Sequence, residues 1–393
     1  MPQNINTQDK KEDAFQAEQV FIVSSGHFVH DVYSAFLVPL LPLLIEKFSL
    51  TLAMAGSLSA VMQFPALLNP LIGRLADKSN ARYFVVIAPA VTATIMSAMG
   101  FAPSYYALLV TLFVAGISVA AFHAPAPAMI ARVSGRRVGK GMGWFMAGGE
   151  LGRTLGPILA VWAATTWTLE GMSRVAVLGW GTSLILFWRL KDIPMERKEE
   201  SGFRKKLPKL RSVFLPLAFI LFFRTAMTVS MTTYLPIFMK LNGASLWLAG
   251  AALAIMESAG VAGALSVGAI SDRVGRKSVL LFSAILSPLF VIVFINSSGW
   301  FLVPLLLAIG FVTLSVGPVF LALIQDHFPE NRSTANGTYM FLAFIIRFPI
   351  IIMVGVVGDN FGLETAFLWS ALLAFLMIPA IFMLPKESQE ETV

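Results

Sequence analysis

The chain has 393 residues, 57% of them hydrophobic and only 13% charged, with a mean hydropathy of +0.76. A soluble domain carries roughly 25% charged residues, so a soluble enzyme fold is excluded, and the net charge of +7 sits in short loops rather than on a nucleic-acid-binding face. There is no cysteine, hence no disulfide framework and no thiolate metal site.

Residues 1–18 are polar and mixed in charge, unlike a cleavable signal peptide. Twelve apolar stretches follow, at about 19–45, 53–74, 83–101, 105–131, 139–163, 172–190, 213–239, 246–270, 277–296, 300–325, 334–357 and 364–384. Each is long enough to cross a bilayer as a helix, and none alternates as a barrel strand does. Between the sixth and seventh lies a basic linker, 191–212, with Lys191, Arg197, Lys198, Arg204, Lys205, Lys206, Lys209 and Arg211. The expected organisation is a tail (1–18), a six-helix bundle (19–190), this linker, a second bundle (213–385) and a short tail (386–393). Even-numbered connections hold most of the Lys and Arg and odd-numbered ones only Lys47, Arg174 and Lys240, which places both termini in the cytoplasm.

A loop pattern occurs twice, 195 residues apart, about half the chain length. The first copy holds Gly73, Asp77, Lys78 and Arg82; the second holds Gly268, Asp272, Arg273, Gly275, Arg276 and Lys277. Arg137 and Arg332, and likewise Trp144 and Tyr339, repeat at the same interval. A duplicated bundle of this kind points to a secondary transporter. An Asp near a helix end can pair with the bases and with a neighbouring helix N-terminus, which makes both loops conformational latches.

The paired loops resemble those after helices 2 and 8 of the major facilitator superfamily, over nearly the whole chain. The second copy matches that pattern in full; the first has Asn80 where the family has glycine. Gly152-Arg-Thr-Leu-Gly156-Pro157 in span five resembles the superfamily's antiporter motif, without its later glycines. His27-Phe28-Val-His-Asp31, Phe122-His123 and Gly148-Gly149 are similar to the fosmidomycin resistance protein group, with departures at Ala124, Glu150 and Arg153. The resemblance implies a twelve-helix, all-α fold and drug export by proton antiport.

An ionisable residue near the middle of a span costs about 2.5 kcal/mol or more, which makes it a functional candidate. Asp31, Glu150, Arg153, Arg224, Glu257 and Arg347 are the six, three acids and three bases. Asp31 is the first choice for proton coupling, with His30, Glu150 and Glu257 as further carriers. His27, His30, Asp31 and Ser34 share one broad helix face. Two His and one Asp resemble a metal-ligand set, but without more carboxylates or a Cys a metal is set aside. Glu150 and Arg153, three apart, are placed either to pair with each other or to trade a proton and a substrate anion. Arg153, Arg224 and Arg347 offer planar forks to carboxylate, phosphate or phosphonate, or else pair with the buried acids. His27, Tyr33, His123, Trp144, Tyr234 and Tyr339 complete the expected substrate contacts. Gly139-Lys-Gly141-Met-Gly143 lacks the strand that a nucleotide loop needs, and no Walker pattern occurs.

The sequence therefore predicts a monomeric, proton-coupled transporter of the bacterial inner membrane, needing no cofactor beyond protons. Its expected substrate is a small anionic or amphipathic organic compound, moved outward as the two halves rock. Uptake of an organic anion such as a carboxylate or chelator, and a receptor that binds without transporting, are the alternatives.

Overall fold

The computed structural model describes residues 15–69, 71–72, 81–191, 210–328 and 332–385. Among these residues every regular element is helical. The helices are α1 (Ala17–Ser34), α2 (Leu37–Phe48), α3 (Leu52–Gln63), α4 (Ala81–Ser97), α5 (Tyr105–His123), α6 (Ala126–Val133), α7 (Val138–Gly171) and α8 (Ala176–Arg189). They continue as α9 (Leu210–Val229), α10 (Leu235–Leu241), α11 (Leu246–Val274), α12 (Arg276–Ile295), α13 (Leu302–Ile309), α14 (Gly317–His327), α15 (Arg332–Phe361), α16 (Leu363–Ala374) and α17 (Met377–Met383).

The described parts of all twelve predicted spans are mostly helical. Eight helical stretches are long and apolar enough to cross a bilayer, beginning with Ala17–Phe48 and ending with Leu363–Met383. Leu52–Leu68 and Arg82–Ser97 are shorter apolar helices. Large apolar side chains such as Trp180, Trp188, Leu265 and Phe282 stand exposed along the spans. In water such surfaces would aggregate; in lipid they are solvated.

Several spans are broken near the middle, span twelve among them at Phe375–Leu376 between α16 and α17. Span one turns at Ala35–Phe36 between α1 and α2, and span four at Ala124–Pro125 between α5 and α6. Spans seven and ten each carry one π-helical turn, Ser230–Tyr234 and Gly310–Leu314. Irregular backbone at membrane depth is tolerated where it is buried in protein, and it is often put to functional use. The α7 helix is interrupted at Trp167–Thr168, where Thr168 takes φ +65°. Gly275 alone joins α11 to α12 at φ +87°, a conformation that favours glycine.

The contacts divide the chain into two compact units, 15–37 with 64–191, and 38–63 with 210–385. Residues 38–63, expected in the first bundle, group by contacts with the second unit. The reason is local: α3 packs along α15, and both Asp359 carboxylate oxygens accept from its first amides, Leu52 N–H at 2.6 Å and Ala53 N–H at 2.9 Å. This is an N-cap supplied from another helix.

Candidate functional site

In the first unit, α1 packs most extensively on α7. Span five's glycines make this possible. A Cβ on Gly149 would overlap the His27 ring, and one on Gly152 would overlap the Phe28 carbonyl and press on Asp31. The sequence expectation of close packing through small residues is met at these residues.

That contact assembles a buried polar group. His27 and Asp31, one turn apart on α1, place Nε2 and Oδ2 3.4 Å from each other. His123, the last residue of α5, brings its Nε2 to 3.4 Å from Asp31 Oδ1 and 3.2 Å from His27 Nε2. Each ring is oriented through its other nitrogen: His27 Nδ1 lies 2.8 Å from Phe145 O, and His123 Nδ1 lies 2.9 Å from Val119 O. The His27 ring stacks on Phe145 at 3.9 Å. Side-chain exposure is 3% for Asp31, 5% for His27 and 35% for His123, so the group opens on the His123 side.

His30 is fully buried and stacks on Phe122 at 4.4 Å instead. The imidazole from another helix that meets the Asp31 carboxylate is that of His123, expected from the sequence as a substrate contact. Tertiary packing decides this, because His123 arrives from a helix nearly a hundred residues away. Ser34 donates to the backbone carbonyl of Asp31 at 3.0 Å. Glu150 and Arg153 form an ion pair with each other along α7, the pairing that the sequence allowed, with Arg153 about half exposed. Trp144 lies against Phe15 and Lys140. Tyr33 is buried and its hydroxyl donates to Val175 O.

The second unit carries the arginines. Arg224, half-buried on α9, donates to Thr313 O at 2.5 Å and stands over the Phe320 ring at 5.7 Å. Its Nε has no hydrogen-bond partner among the described residues. The Tyr339 phenol interacts electrostatically with it and packs beside Phe320 at 6.1 Å. Arg347, half-buried on α15, donates to Gln63 Oε1 at 2.9 Å and to Thr232 Oγ1 at 3.1 Å. Arg224 and Glu257 are the charged groups acting on it. No carboxylate lies within ion-pair distance of Arg224 or Arg347 among the described residues. Tyr234 is fully buried, donating to Ile351 O at 2.7 Å and packing between Gly56 and Gly355.

Of the two loop motifs expected to act as latches, Gly73, Asp77 and Lys78 of the first copy lie outside the described residues. Arg82 donates to the carbonyls of Leu190 and Lys191. In the second copy Arg276 pairs with Asp272, with Asp326 at 3.2 Å, and donates to Ser271, which ties α11, α12 and α14 together. Asp272 and Arg273 are exposed, and Gly268 lies one turn before them. Gln63, Thr232, Thr313 and Asp326 were not singled out in the sequence. Neutral oxygens and an acid near a span end give no hydropathy signal. Asp359, which caps α3, escaped for the same reason.

A helical bundle with midspan breaks and buried charges defines a multi-pass membrane transporter. The family model for the Major Facilitator Superfamily matches residues 23–351, and the chain belongs to that superfamily. It is 26% identical over 378 residues to the fosmidomycin resistance protein of Escherichia coli (strain K12), covering 92% of this chain and 91% of the relative. It is 25% identical over 378 residues to the multidrug resistance protein MdtG of Proteus mirabilis (strain HI4320), covering 91% and 93%. Among solved structures it is similar to a bacterial homolog of the human lysosomal transporter Spinster, with a TM-score of 0.74, 14% identity and 94% of each chain covered. It is also similar to a D-xylose-proton symporter, with a TM-score of 0.73, 15% identity and coverage of 97% and 100%. At these identities the structural likeness speaks for the fold alone. The twelve-helix fold and the absence of an enzyme role follow from the family.

Proposed function

We propose that this transporter exports a small anionic or amphipathic organic compound across the bacterial inner membrane in exchange for protons. The observation that carries the anion is the pair Arg224 and Arg347. Both lie within predicted spans, half-buried, hydrogen-bonded to neutral oxygens, and among the described residues neither has a carboxylate within ion-pair distance, although Glu257 acts on Arg347 electrostatically. Keeping a guanidinium there is costly, and a substrate carboxylate, phosphate or phosphonate supplies the missing charge through a bidentate contact. Proton coupling falls to Asp31, whose carboxylate is flanked by two imidazoles that relay a proton. The names of the two relatives, both resistance proteins, support export as the direction. The basic loops support cytoplasmic termini, and the protein acts as a monomer.

A thermal-shift screen of purified protein against carboxylates, phosphonates and organic cations tests the anion reading, because a ligand bound only by the folded state raises apparent stability. Anions should stabilise the wild type and lose that effect in Arg224→Ala and Arg347→Ala. Stabilisation by cations alone, or equal shifts in both variants, sinks the reading. Counterflow of the ligand found, in proteoliposomes with an imposed proton gradient, then gives the direction.

A further inference from the structure

We propose that His27, Asp31 and His123 form a binding site for a divalent first-row transition ion of the zinc type, with one coordination position left open. Phe145 O and Val119 O can only accept, so the Nδ1 atoms that face them at 2.8 Å and 2.9 Å are the ones that carry hydrogen. In each neutral ring Nε2 therefore presents a lone pair. Both lone pairs converge on each other and on the Asp31 carboxylate, at 3.2, 3.4 and 3.4 Å. Three acceptors turned inward in an apolar bundle repel one another unless a positive centre lies among them.

The spacing suits a metal ion. Zinc binds imidazole nitrogen and carboxylate oxygen at about 2.0–2.1 Å with tetrahedral angles, so its ligand atoms stand about 3.3 Å apart. The two imidazole nitrogens, 3.2 Å apart, match one such tetrahedral edge; they approach different oxygens of the Asp31 carboxylate, and one ligand atom from each of the three residues lies within 4.8 Å of the others. Two imidazoles with one carboxylate favour zinc and its neighbours over magnesium or calcium, which take oxygen shells. The Nδ1–H to carbonyl bonds are also the outer-shell contacts that orient metal-binding histidines. The rings are rigid: His27 is held between Phe145 and the bare backbone of Gly149.

The fourth position faces the open side, where His123 is 35% exposed. One carboxylate leaves a bound dication with a net positive charge, so an anionic oxygen suits that position. The neighbouring charges do not fill the site. Glu150 and Arg153 pair with each other on α7, Arg153 acts electrostatically on His123, and His30 stacks on Phe122. A proton and a metal ion compete for these lone pairs. The proposal rests on the geometry and stands even if transport is not coupled to protons.

Isothermal titration of the purified full-length protein in detergent at pH 7.5 with zinc chloride tests it. One ion per chain is expected, with affinity at least tenfold weaker in His123→Ala and in Asp31→Asn. His327→Ala, which removes a histidine outside the site, should bind as wild type. Cobalt(II) at the same site should show the intense visible bands of tetrahedral coordination, and excess magnesium should not displace it. Because His123 is partly exposed, His123→Ala should fold normally, with an unchanged melting temperature in the absence of metal. Absence of stoichiometric zinc binding, a site that survives His123→Ala, or weak octahedral cobalt bands would overturn the proposal. Transport by Asp31→Asn separately decides the coupling reading, so either idea can fail while the other holds.

Discussion

In the first unit a single carboxylate is surrounded by imidazoles; in the second, two guanidiniums are surrounded by neutral oxygens and aromatic rings. The backbone underneath is the same plan. Span one breaks at Ala35 and span seven at Ser230, 195 residues apart, the interval that separates the two loop motifs. Asp31 and Arg224 both precede these breaks by a turn or two. The duplication has thus preserved where the helices bend while the chemistry beside each bend has diverged. A backbone break needs only a local change in hydrogen bonding, and both copies can keep it. A buried charge must be answered by its own neighbours, and those differ between the units.

If the two units divide the labour, their variants should fail differently. The largest effect is expected from Asp31→Asn, which should lower proton-driven transport by about 100-fold or more, as for removal of a group essential to proton transfer. Substrate exchange without a gradient should persist; unchanged driven transport would remove Asp31 from the coupling role. Next come Arg224→Ala and Arg347→Ala, each weakening anion binding by about tenfold or more, the scale of a charge-assisted hydrogen bond. Fluorescence or calorimetric titration would measure this, and an equal loss in Glu150→Gln would blur the division between the units. Gly149→Ala should destabilise by about 1–3 kcal/mol through overpacking against His27, visible as a lower melting temperature. A weaker effect, about 1 kcal/mol, is expected from Asp359→Ala through loss of the α3 cap; Asp359→Asn should recover part of it. Smallest should be Arg276→Ala, which breaks exposed ion pairs worth at most about 1 kcal/mol each in stability, though it should change transport rate through the latch. An Arg276→Ala variant that transports at the wild-type rate would leave the loop with topogenic charge alone.

Several particulars of the site were legible in the chain. The six midspan charges stood out because an apolar background makes each one costly, and the glycine run of span five announced a close helix contact. His27 and Asp31 lie at helical spacing, so their meeting could be read directly. The identity of the third member could not. His30 satisfies the same helical spacing, yet the rotation of α1 against α7 and α5 turns it onto Phe122 and brings His123 to the carboxylate. Tyr33 and Tyr234 illustrate a similar limit, since nothing in a sequence distinguishes a tyrosine that lines a cavity from one whose hydroxyl is satisfied by a backbone carbonyl. Glu150 and Arg153 were left between two roles, and the ion pair between them chooses one for this conformation.

By itself the sequence determined that this is a membrane protein, that it has twelve spans in a duplicated arrangement, and where charges fall inside those spans. Those conclusions depend on hydropathy, charge placement and periodicity, which are properties of a chain read in order. Only the tertiary structure decided that His123 rather than His30 meets Asp31, that the two central arginines rest on neutral groups, and that α3 is capped from α15. Each of those depends on which side chains from distant segments come within a few ångströms, and that is fixed by how helices rotate and pack against one another.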